Sequence, residues 1–481
     1  MKILMLGWEY PPLISGGLAT ATEGLVSGLT KLGHQIALVL PHFPHDAAES
    51  IENVNPHLTI VSPEHPFNPE RILRPIDEAF VASAGLQLSN MSATEILAAS
   101  QRGQGSSIAA GIGALSHYET AQIESLALTP EEKQALRQRL ALYQAQLSSS
   151  SAEGISEKTL WTPQLSEVSE QTEILSLLAG DVLRNQPQSI FEVIHAHDWM
   201  SLKAISQIRN TSTLPVVLHV HSTEYDRAGV HGNQKIQAME KLGFQIADRL
   251  VAVSNLTRRI LVDHYGVPSE KIDVVYNASN LAHRRHTAVN VSSVAANKER
   301  SPVISFVGRV TYQKGPAYFV QSAFRALQLQ PNLRFQVVGT GDLLPSMRQL
   351  AWELGVHDKF TFHGFQSAKK VEALLADSDV FVMPSVSEPF GIVALEAMAQ
   401  HIPIIISKQS GVAECLMHAL KVDFWDTDLM ADRIVSLVRR SRLRGELQKN
   451  GSREVERFTW ENSARRCVDV YRKTARRATR V

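Results

Sequence analysis

Two carboxylates, Glu388 and Glu396, stand eight positions apart in the segment 385–398, directly after a predicted strand, Val380–Met383. A helix starting near Gly391 would leave its first amides unpaired, which makes an anion site. One atom cannot touch both carboxylates, so we expect them to hold different ends of an extended ligand. The structural alternative is a surface glutamate plus a glutamate in the first helical turns that favours the helix dipole.

A second segment, residues 308–315, follows another predicted strand and carries the cations Arg309 and Lys314. Arginine offers a bidentate fork and lysine a point charge, a combination suited to a diphosphate. Two exposed cations on a loop are the alternative. Ligands of α/β sheets bind outside the carboxyl ends of strands, and this position favours the phosphate interpretation.

Glycines follow two further predicted strands. Gly339 and Gly341 come after the strand at 335–338, and Gly16 and Gly17 come after the strand at 3–6. Glycine lets a backbone approach a ligand closely. A lone Gly-x-Gly is weak evidence, however, and turns that merely need glycine are the competing interpretation.

Histidines cluster at the ends of two predicted strands, in the runs His195-Ala196-His197-Asp198-Trp199 and His219-Val220-His221. Alternate strand positions share a face, so His-x-His could suggest a metal. No third ligand follows at a sensible spacing. We therefore expect histidines of the core or histidines that support a site, and no metal.

Strand-like and helical segments alternate along most of the 481 residues, which predicts parallel, doubly wound α/β sheets. We expect an N-terminal domain over 1–277, with an insertion at about 84–165. A linker over 278–301 and a C-terminal domain over 302–459 should follow. A final helix, 460–481, is expected to cross back towards the N-terminal domain. Two such domains would face each other across a cleft.

The composition excludes several classes of protein. Lys+Arg and Asp+Glu both number 48, so no global basic field gathers nucleic acid. No apolar run is long enough to span a membrane. The two cysteines cannot form a disulfide framework, and a reducing, cytoplasmic setting is expected. Gly7-Trp8-Glu9 lacks the Gly-x-Gly-x-x-Gly pattern of a dinucleotide fold, which argues against a nicotinamide enzyme.

Taken together, these segments resemble retaining glycosyltransferases of the GT-B type in family 4, and in particular glycogen and starch synthases. The resemblance covers nearly the whole chain except about 84–165. It implies two Rossmann-like domains and the metal-independent transfer of a hexose, most simply glucose, from UDP- or ADP-glucose to a glycan acceptor such as an α-1,4-glucan. The nucleotide sugar is a substrate, and no cofactor is implied.

The resemblance also implies roles for single residues. Arg309 and Lys314 match the pair that binds the donor diphosphate, Glu388 the carboxylate facing the donor sugar, and Glu396 the one holding the ribose hydroxyls. His221 matches an active-site histidine and Asp198 an acidic residue on the acceptor side. Backbone contacts to the donor are expected from the loop glycines and the turn before the helix: Gly16, Gly17, Gly339, Gly341, Phe390, Gly391 and Ile392.

Departures from the family leave alternatives open. Ile14 stands where ADP-glucose-dependent bacterial synthases carry the lysine of Lys-x-Gly-Gly, which favours UDP-sugars or a relaxed base preference. The insertion puts a glycogen acceptor in doubt. A cell-envelope or lipid-linked acceptor stays open, and so does a peripheral membrane contact through Lys133, Arg137 and Arg139. A sugar-nucleotide-binding protein without turnover is the remaining alternative.

Overall fold

The computed structural model describes residues 1–13, 16–67, 165–184, 190–283 and 300–478. Its first sheet has seven parallel strands in the order β3-β2-β1-β4-β5-β6-β7. These strands are β1 (Lys2–Leu6), β2 (Gln35–Val39), β3 (Leu58–Val61), β4 (Val193–His197), β5 (Val216–Val220), β6 (Arg249–Ala252) and β7 (Ile272–Val274). The helices along this part of the chain are α1 (Gly17–Lys31), α2 (His45–Val54), α3 (Leu165–Arg184), α4 (Leu202–Arg209), α5 (Glu224–Ala228), α6 (Gln234–Ile246) and α7 (Asn255–Asp263).

The second sheet has six strands in the order β10-β9-β8-β11-β12-β13. They are β8 (Val303–Val307), β9 (Arg334–Val338), β10 (Phe360–Gly364), β11 (Val380–Met383), β12 (Ile404–Ser407) and β13 (Leu420–Val422). The helices are α8 (Pro316–Leu329), α9 (Leu344–Glu353), α10 (Ala368–Ala376), α11 (Ile392–Ala399), α12 (Thr427–Arg439), α13 (Ser441–Val455) and α14 (Trp460–Ala478).

Burial explains why these segments form strands. All residues of β4, β5 and β11 are buried, as expected for parallel strands covered by helices on both faces. Around β8 and β9 the core is aromatic, with Phe319 of α8 meeting Phe335 edge to face at 5.8 Å. Apolar burial of this kind is the main source of stability in a domain.

The chain divides into two compact units that are interleaved in sequence. The first contains residues 1–220, 239–251 and 464–481, and the second contains 221–238 and 252–463. The last helix, α14, therefore supplies most of its residues to the first unit. This grouping differs from a simple division at 278–301, and the boundaries expected from the sequence stay predictions.

Most elements expected from the sequence are present. β11 has the predicted bounds, and α14 begins at Trp460 as expected. Gly33 has φ +79° just after α1, in the left-handed conformation that ends many helices. The short strands β3, β7 and β13 were not predicted from the sequence. Several expected features lie outside the described residues: Ile14, Lys133, Arg137, Arg139, almost all of the insertion at about 84–165 and most of the linker.

Candidate functional site

In the second unit, two loops leave the carboxyl ends of neighbouring strands. β8 and β11 pair directly, so the loop 308–315 and the loop 384–391 start side by side at one edge of the sheet. A hydrogen bond from Val386 N–H to the carbonyl of Gln313, 2.9 Å long, joins them. The sheet topology thus brings together the two segments that the sequence analysis singled out.

Gly315 is required where these loops approach each other. It adopts φ +67° at the start of α8, and a Cβ atom there would collide with the carbonyl oxygen of Pro384. A left-handed φ is costly for residues with a side chain, so both conformation and space demand glycine. Its presence holds the end of the loop 308–315 against the start of the loop 384–391.

The central contact of the site is an ion pair between Lys314 and Glu388. Lys314 Nζ donates to Glu388 Oε2 at 2.5 Å, and Ser385 Oγ donates to the same oxygen at 3.3 Å. The Glu388 side chain is 8% exposed and the Lys314 side chain 21% exposed. Burial of both side chains restricts the geometry of the pair. The partial exposure of Lys314 leaves its ammonium group accessible to a ligand.

The backbone around Glu388 is held on both sides. Its N–H donates to the carbonyl of Gln409 at 3.0 Å, and its carbonyl accepts from Gly411 N–H at 2.8 Å. Beyond it, Phe390 stacks against Tyr276 with ring centroids 6.0 Å apart, and its carbonyl accepts from Val412 N–H. These bonds fix the direction in which the carboxylate points.

Helix α11 starts at Ile392, one residue after the predicted position. Gly391 is its N-cap with φ +106°, and no side chain caps the helix. The positive end of the dipole therefore lies next to the ion pair in sequence, where it favours a negatively charged group.

Glu396 lies on α11, partly buried. Burial raises the pKa of its carboxyl group to about 7, and repulsion from Glu372 acts in the same direction. Its charge therefore changes near neutral pH, unlike that of an ordinary glutamate. A hydrogen bond from a sugar hydroxyl would favour the charged form.

His221 follows β5 directly and begins the part of the second unit that contains α5. Burial lowers the pKa of its imidazole to about 3, so the ring is neutral at physiological pH. A neutral ring accepts a hydrogen bond at one nitrogen and donates at the other. This suits an interaction with sugar hydroxyls better than one with a phosphate.

Asp226 of α5 connects this segment to the loop 384–391 and was not singled out from the sequence. Its Oδ1 accepts from Ser387 Oγ at 2.8 Å, and its Oδ2 accepts from the N–H and the hydroxyl of Thr223, each at 2.8 Å. Asp226 is 2% exposed, and burial raises the pKa of its carboxyl group. No sequence pattern connects Asp226 with Ser387, 161 positions away.

The remaining predicted residues of the loops beside β8 and β9 have different surroundings. Arg309 is exposed. A Cβ atom on Gly339 would collide with the carbonyl of Gly308, and one on Gly341 with the backbone of Val310. Close packing of the two loops is thus a sufficient reason for glycine at both positions, and their contact with a donor stays a prediction.

In the first unit, register brings three histidines together. His197 pairs with His219 across β4 and β5, and ligand nitrogens of these two and His195 lie within 4.8 Å of one another. The spacing along the chain did not indicate this grouping, because His219 comes from the neighbouring strand, and the expected absence of a metal stays a prediction. His195 Nε2 lies 3.3 Å from His219 Nδ1, and Tyr471 Oη lies 2.5 Å from His195 Nδ1. Both nitrogens of His195 therefore take part in a buried hydrogen-bonded chain.

Asp198 follows β4 in a strained conformation. Its φ is +52°, which is uncommon outside glycine, and it is 5% exposed. Its N–H donates to the carbonyl of His219, and its own carbonyl accepts from Ser201 Oγ at 2.7 Å. Strain of this kind is concentrated at functional positions, and the acceptor-side role of Asp198 stays a prediction.

Gly16 and Gly17 begin α1 after β1. Gly16 has an extended backbone, and no described protein atom lies within 4 Å of a Cβ built on either glycine. The turn therefore does not require glycine for its own packing. Contact of this backbone with a ligand stays a prediction.

Three family models match successive parts of the chain. Residues 2–84 match the starch synthase catalytic domain, residues 176–283 match Glycosyltransferase Family 4, and residues 291–454 match Glycosyl transferases group 1. The last of these covers both loops of the site in the second unit.

Known proteins resemble the chain over nearly its full length. An uncharacterized glycosyltransferase of Methanocaldococcus jannaschii is 26% identical over 98% of both chains. Sucrose-phosphate synthase from Thermosynechococcus elongatus has a TM-score of 0.63 and 17% identity, over 98% of both chains. Anabaena HepE in complex with UDP-glucose has a TM-score of 0.58 and 14% identity, over 98% of this chain and 100% of that one.

A second group of relatives matches a smaller part. D-inositol 3-phosphate glycosyltransferase of Rhodococcus erythropolis is 28% identical over 63% of this chain and 73% of its own. The two parallel-sheet units have the GT-B fold. The matches define the chain as a glycosyltransferase.

Proposed function

We propose that the chain transfers a hexose, most simply glucose, from a nucleotide sugar to a glycan acceptor with retention of anomeric configuration. The observation that carries the proposal is the Lys314–Glu388 ion pair, placed beside the N-terminus of α11. Cation, carboxylate and helix dipole together suit a ligand with a diphosphate and a sugar. HepE, with which this chain shares its fold, binds UDP-glucose, and this supports a UDP-sugar donor.

The chemistry follows from where charge develops. When the bond between the anomeric carbon and the phosphate oxygen breaks, positive charge builds on the sugar and negative charge on the diphosphate. Lys314, Arg309 and the amides at the start of α11 would stabilise the departing phosphate. These groups provide the charge without a metal ion, so we expect transfer to be metal-independent.

Glu388 would face the developing positive charge and is not assigned as a nucleophile. In front-face transfer the acceptor oxygen attacks from the side of the leaving group, and its proton passes to the leaving phosphate. Neutral His221 would bind hydroxyls of the donor sugar, and Glu396 would hold those of the ribose. In the first unit, Asp198 is the candidate on the acceptor side. The backbone at Gly16 and Gly17 is the candidate for contact with the donor.

For the acceptor we propose an α-1,4-glucan, supported by the match of residues 2–84 to the starch synthase catalytic domain. Two other acceptor classes compete with it. Relatives named for inositol phosphate and sucrose phosphate favour a small phosphorylated acceptor. A lipid-linked or cell-envelope glycan is the third, although no described helix is long and apolar enough to cross a bilayer. For the setting we propose a reducing cytoplasm, supported by Cys415 and Cys467, which form no disulfide.

The test measures release of nucleoside diphosphate from UDP-, ADP- and GDP-glucose, with EDTA present. Acceptors are malto-oligosaccharide, glycogen, inositol phosphate and glucose phosphate. Release that rises with glucan and is lost in Lys314→Ala supports the proposal. If only a phosphorylated acceptor stimulates release, that acceptor replaces the glucan in the proposal and the transferase stands. Lys408→Ala, which removes an exposed ion pair with Asp423, is the matched control and should keep full activity. Absence of release from every donor contradicts the transferase.

A further inference from the structure

We propose that Asp226 is a positioning residue for the transfer reaction, which fixes the Glu388 loop through the hydroxyl of Ser387. The inference rests on the proposed function for its effect on turnover, and on the geometry of the second unit for its effect on the loop.

Asp226 uses its two carboxylate oxygens for different purposes. Oδ2 accepts from Thr223 N–H and Thr223 Oγ, and Asp226 N–H donates back to Thr223 Oγ at 3.2 Å, which completes a capping box at the start of α5. The cap therefore occupies Oδ2 alone. Oδ1 is directed to Ser387 Oγ, 161 positions away in sequence.

The contact with Ser387 lies inside a loop that is otherwise held by its backbone. Val386 N–H donates to the carbonyl of Gln313, and Glu388 N–H donates to the carbonyl of Gln409. Ser387 lies between these two anchors, and its hydroxyl provides the side-chain connection from the loop to α5. Asp226 is 2% exposed and Ser387 is partly buried, so water competes less for this bond than for an exposed one.

The same carboxylate links two parts of the proposed donor site. His221 precedes Thr223 by two residues, so the cap that orders Thr223 also orders the backbone beside His221. Ser387 directly precedes Glu388, whose carboxylate pairs with Lys314. Asp226 therefore sets the position of the neutral histidine's segment and of the anionic glutamate's loop with one buried group.

A purely structural role makes a different prediction. If Asp226 served only to cap α5, the hydroxyl of Ser387 would be dispensable, because the cap uses Oδ2. Ser387→Ala removes the connection and leaves the capping box intact. It is therefore a sharper probe than Asp226→Ala, which also removes the cap and could unfold the segment.

Two readouts test the proposal on the full-length chain. In hydrogen exchange without ligand, we expect the amides of Val386 and Glu388 to exchange about tenfold faster in Ser387→Ala than in the unaltered protein. In the donor assay we expect kcat to fall about tenfold, with the KM for the nucleotide sugar within about twofold. Ser387→Thr, which keeps a hydroxyl, should restore both values.

Ser452→Ala is the matched control. Its hydroxyl bonds locally to the carbonyl of Lys449 in α13, and neither readout should change. Unchanged exchange in Ser387→Ala, or faster exchange with unchanged kcat, overturns the proposal. If the unaltered protein transfers from no donor, the proposed function fails. The exchange comparison then still decides whether Asp226 and Ser387 fix the loop.

Discussion

Lys314 Nζ and Glu388 Oε2 lie 2.5 Å apart, although 74 positions separate the residues in sequence. The cation expected to bind phosphate and the carboxylate expected to face the sugar are therefore paired with each other. An incoming diphosphate must share the ammonium group with Glu388 or take its place. The ion pair thus opposes binding of the nucleotide and, at the same time, keeps both side chains in position.

Glu388→Gln should separate these two effects. Removing the negative charge relieves its repulsion of a diphosphate and its competition for Lys314, so we expect nucleoside diphosphate to bind about tenfold more tightly. Turnover should fall, because the carboxylate no longer faces the developing positive charge. Calorimetric titration with UDP and ADP measures the change in nucleotide affinity. Weaker binding of nucleotide by Glu388→Gln would contradict the competition between Glu388 and the diphosphate for Lys314.

Glu396 should make stability depend on pH in an unusual direction. Its pKa is about 7 in the folded protein and 4.5 for the ordinary group, so the folded state holds the extra proton between these values. Stability from this group is therefore present at low pH and is lost as pH rises through 7. Glu396→Gln should raise the melting temperature by about 2–5 °C at pH 8 and leave it unchanged at pH 4.5.

Thermal unfolding at the two pH values checks this expectation. Glu446→Gln, on the exposed side of α13, is the control and should show no such difference. Glu372→Gln should act in the same direction as Glu396→Gln, since it removes the repulsion that raises the pKa of Glu396. An equal change at both pH values would show that Glu396 does not hold the proton.

His221 should have the opposite pH dependence. Its folded pKa of about 3 lies below the ordinary 6.5, so the unfolded chain binds the proton first as pH falls. The contribution of the neutral ring is complete above pH 6.5 and is lost progressively below it. Relative to His221→Asn, the unaltered protein should lose about 1–2 kcal/mol between pH 7.5 and 5. Urea unfolding at both pH values measures this, and a constant difference would be inconsistent with a buried neutral ring.

Tyr471→Phe tests the buried chain of histidines. The change removes the hydroxyl that contacts His195 Nδ1 and leaves the ring, so we expect a loss of about 1 kcal/mol in the free energy of unfolding. Tyr312→Phe is the control, because Tyr312 is 59% exposed and its change should cost nothing measurable. Equal midpoints in urea for both variants would show that the hydroxyl contributes nothing.

Gly315→Ala should be strongly destabilising, while Gly445→Ala should not. At Gly315 the left-handed φ and the carbonyl of Pro384 both oppose a side chain, so we expect a loss of at least about 2 kcal/mol. Gly445 lies within α13 with open space around it, and alanine there should add about 0.5–1 kcal/mol. Unfolding midpoints that change equally would contradict the close approach of the two loops.

Sequence patterns predicted the sheet architecture because buried β-branched strands and amphipathic helices have clear periods. They also singled out the loops 308–315 and 384–391, which follow strands and which the sheet brings side by side; their role in the chemistry stays a prediction. They did not predict β3, β7 and β13, and two of these, β7 and β13, are only three residues long. The pairing of Lys314 with Glu388, and the third histidine beside His195 and His197, depend on strand order and register. The Asp226–Ser387 bond joins residues that share no sequence pattern, so the sequence did not predict it.

The interleaving of the two units has a consequence for the order in which the protein can be built. Tyr471 meets His195 across 276 positions, and residues 464–481 belong with the first unit. During synthesis from the N-terminus, that unit cannot complete its core until α14 has left the ribosome. Residues 252–463, which form most of the second unit, are synthesised before residues 464–481 become available to the first. A fragment cut after residue 277 would therefore be an unfinished folding unit rather than an independent half.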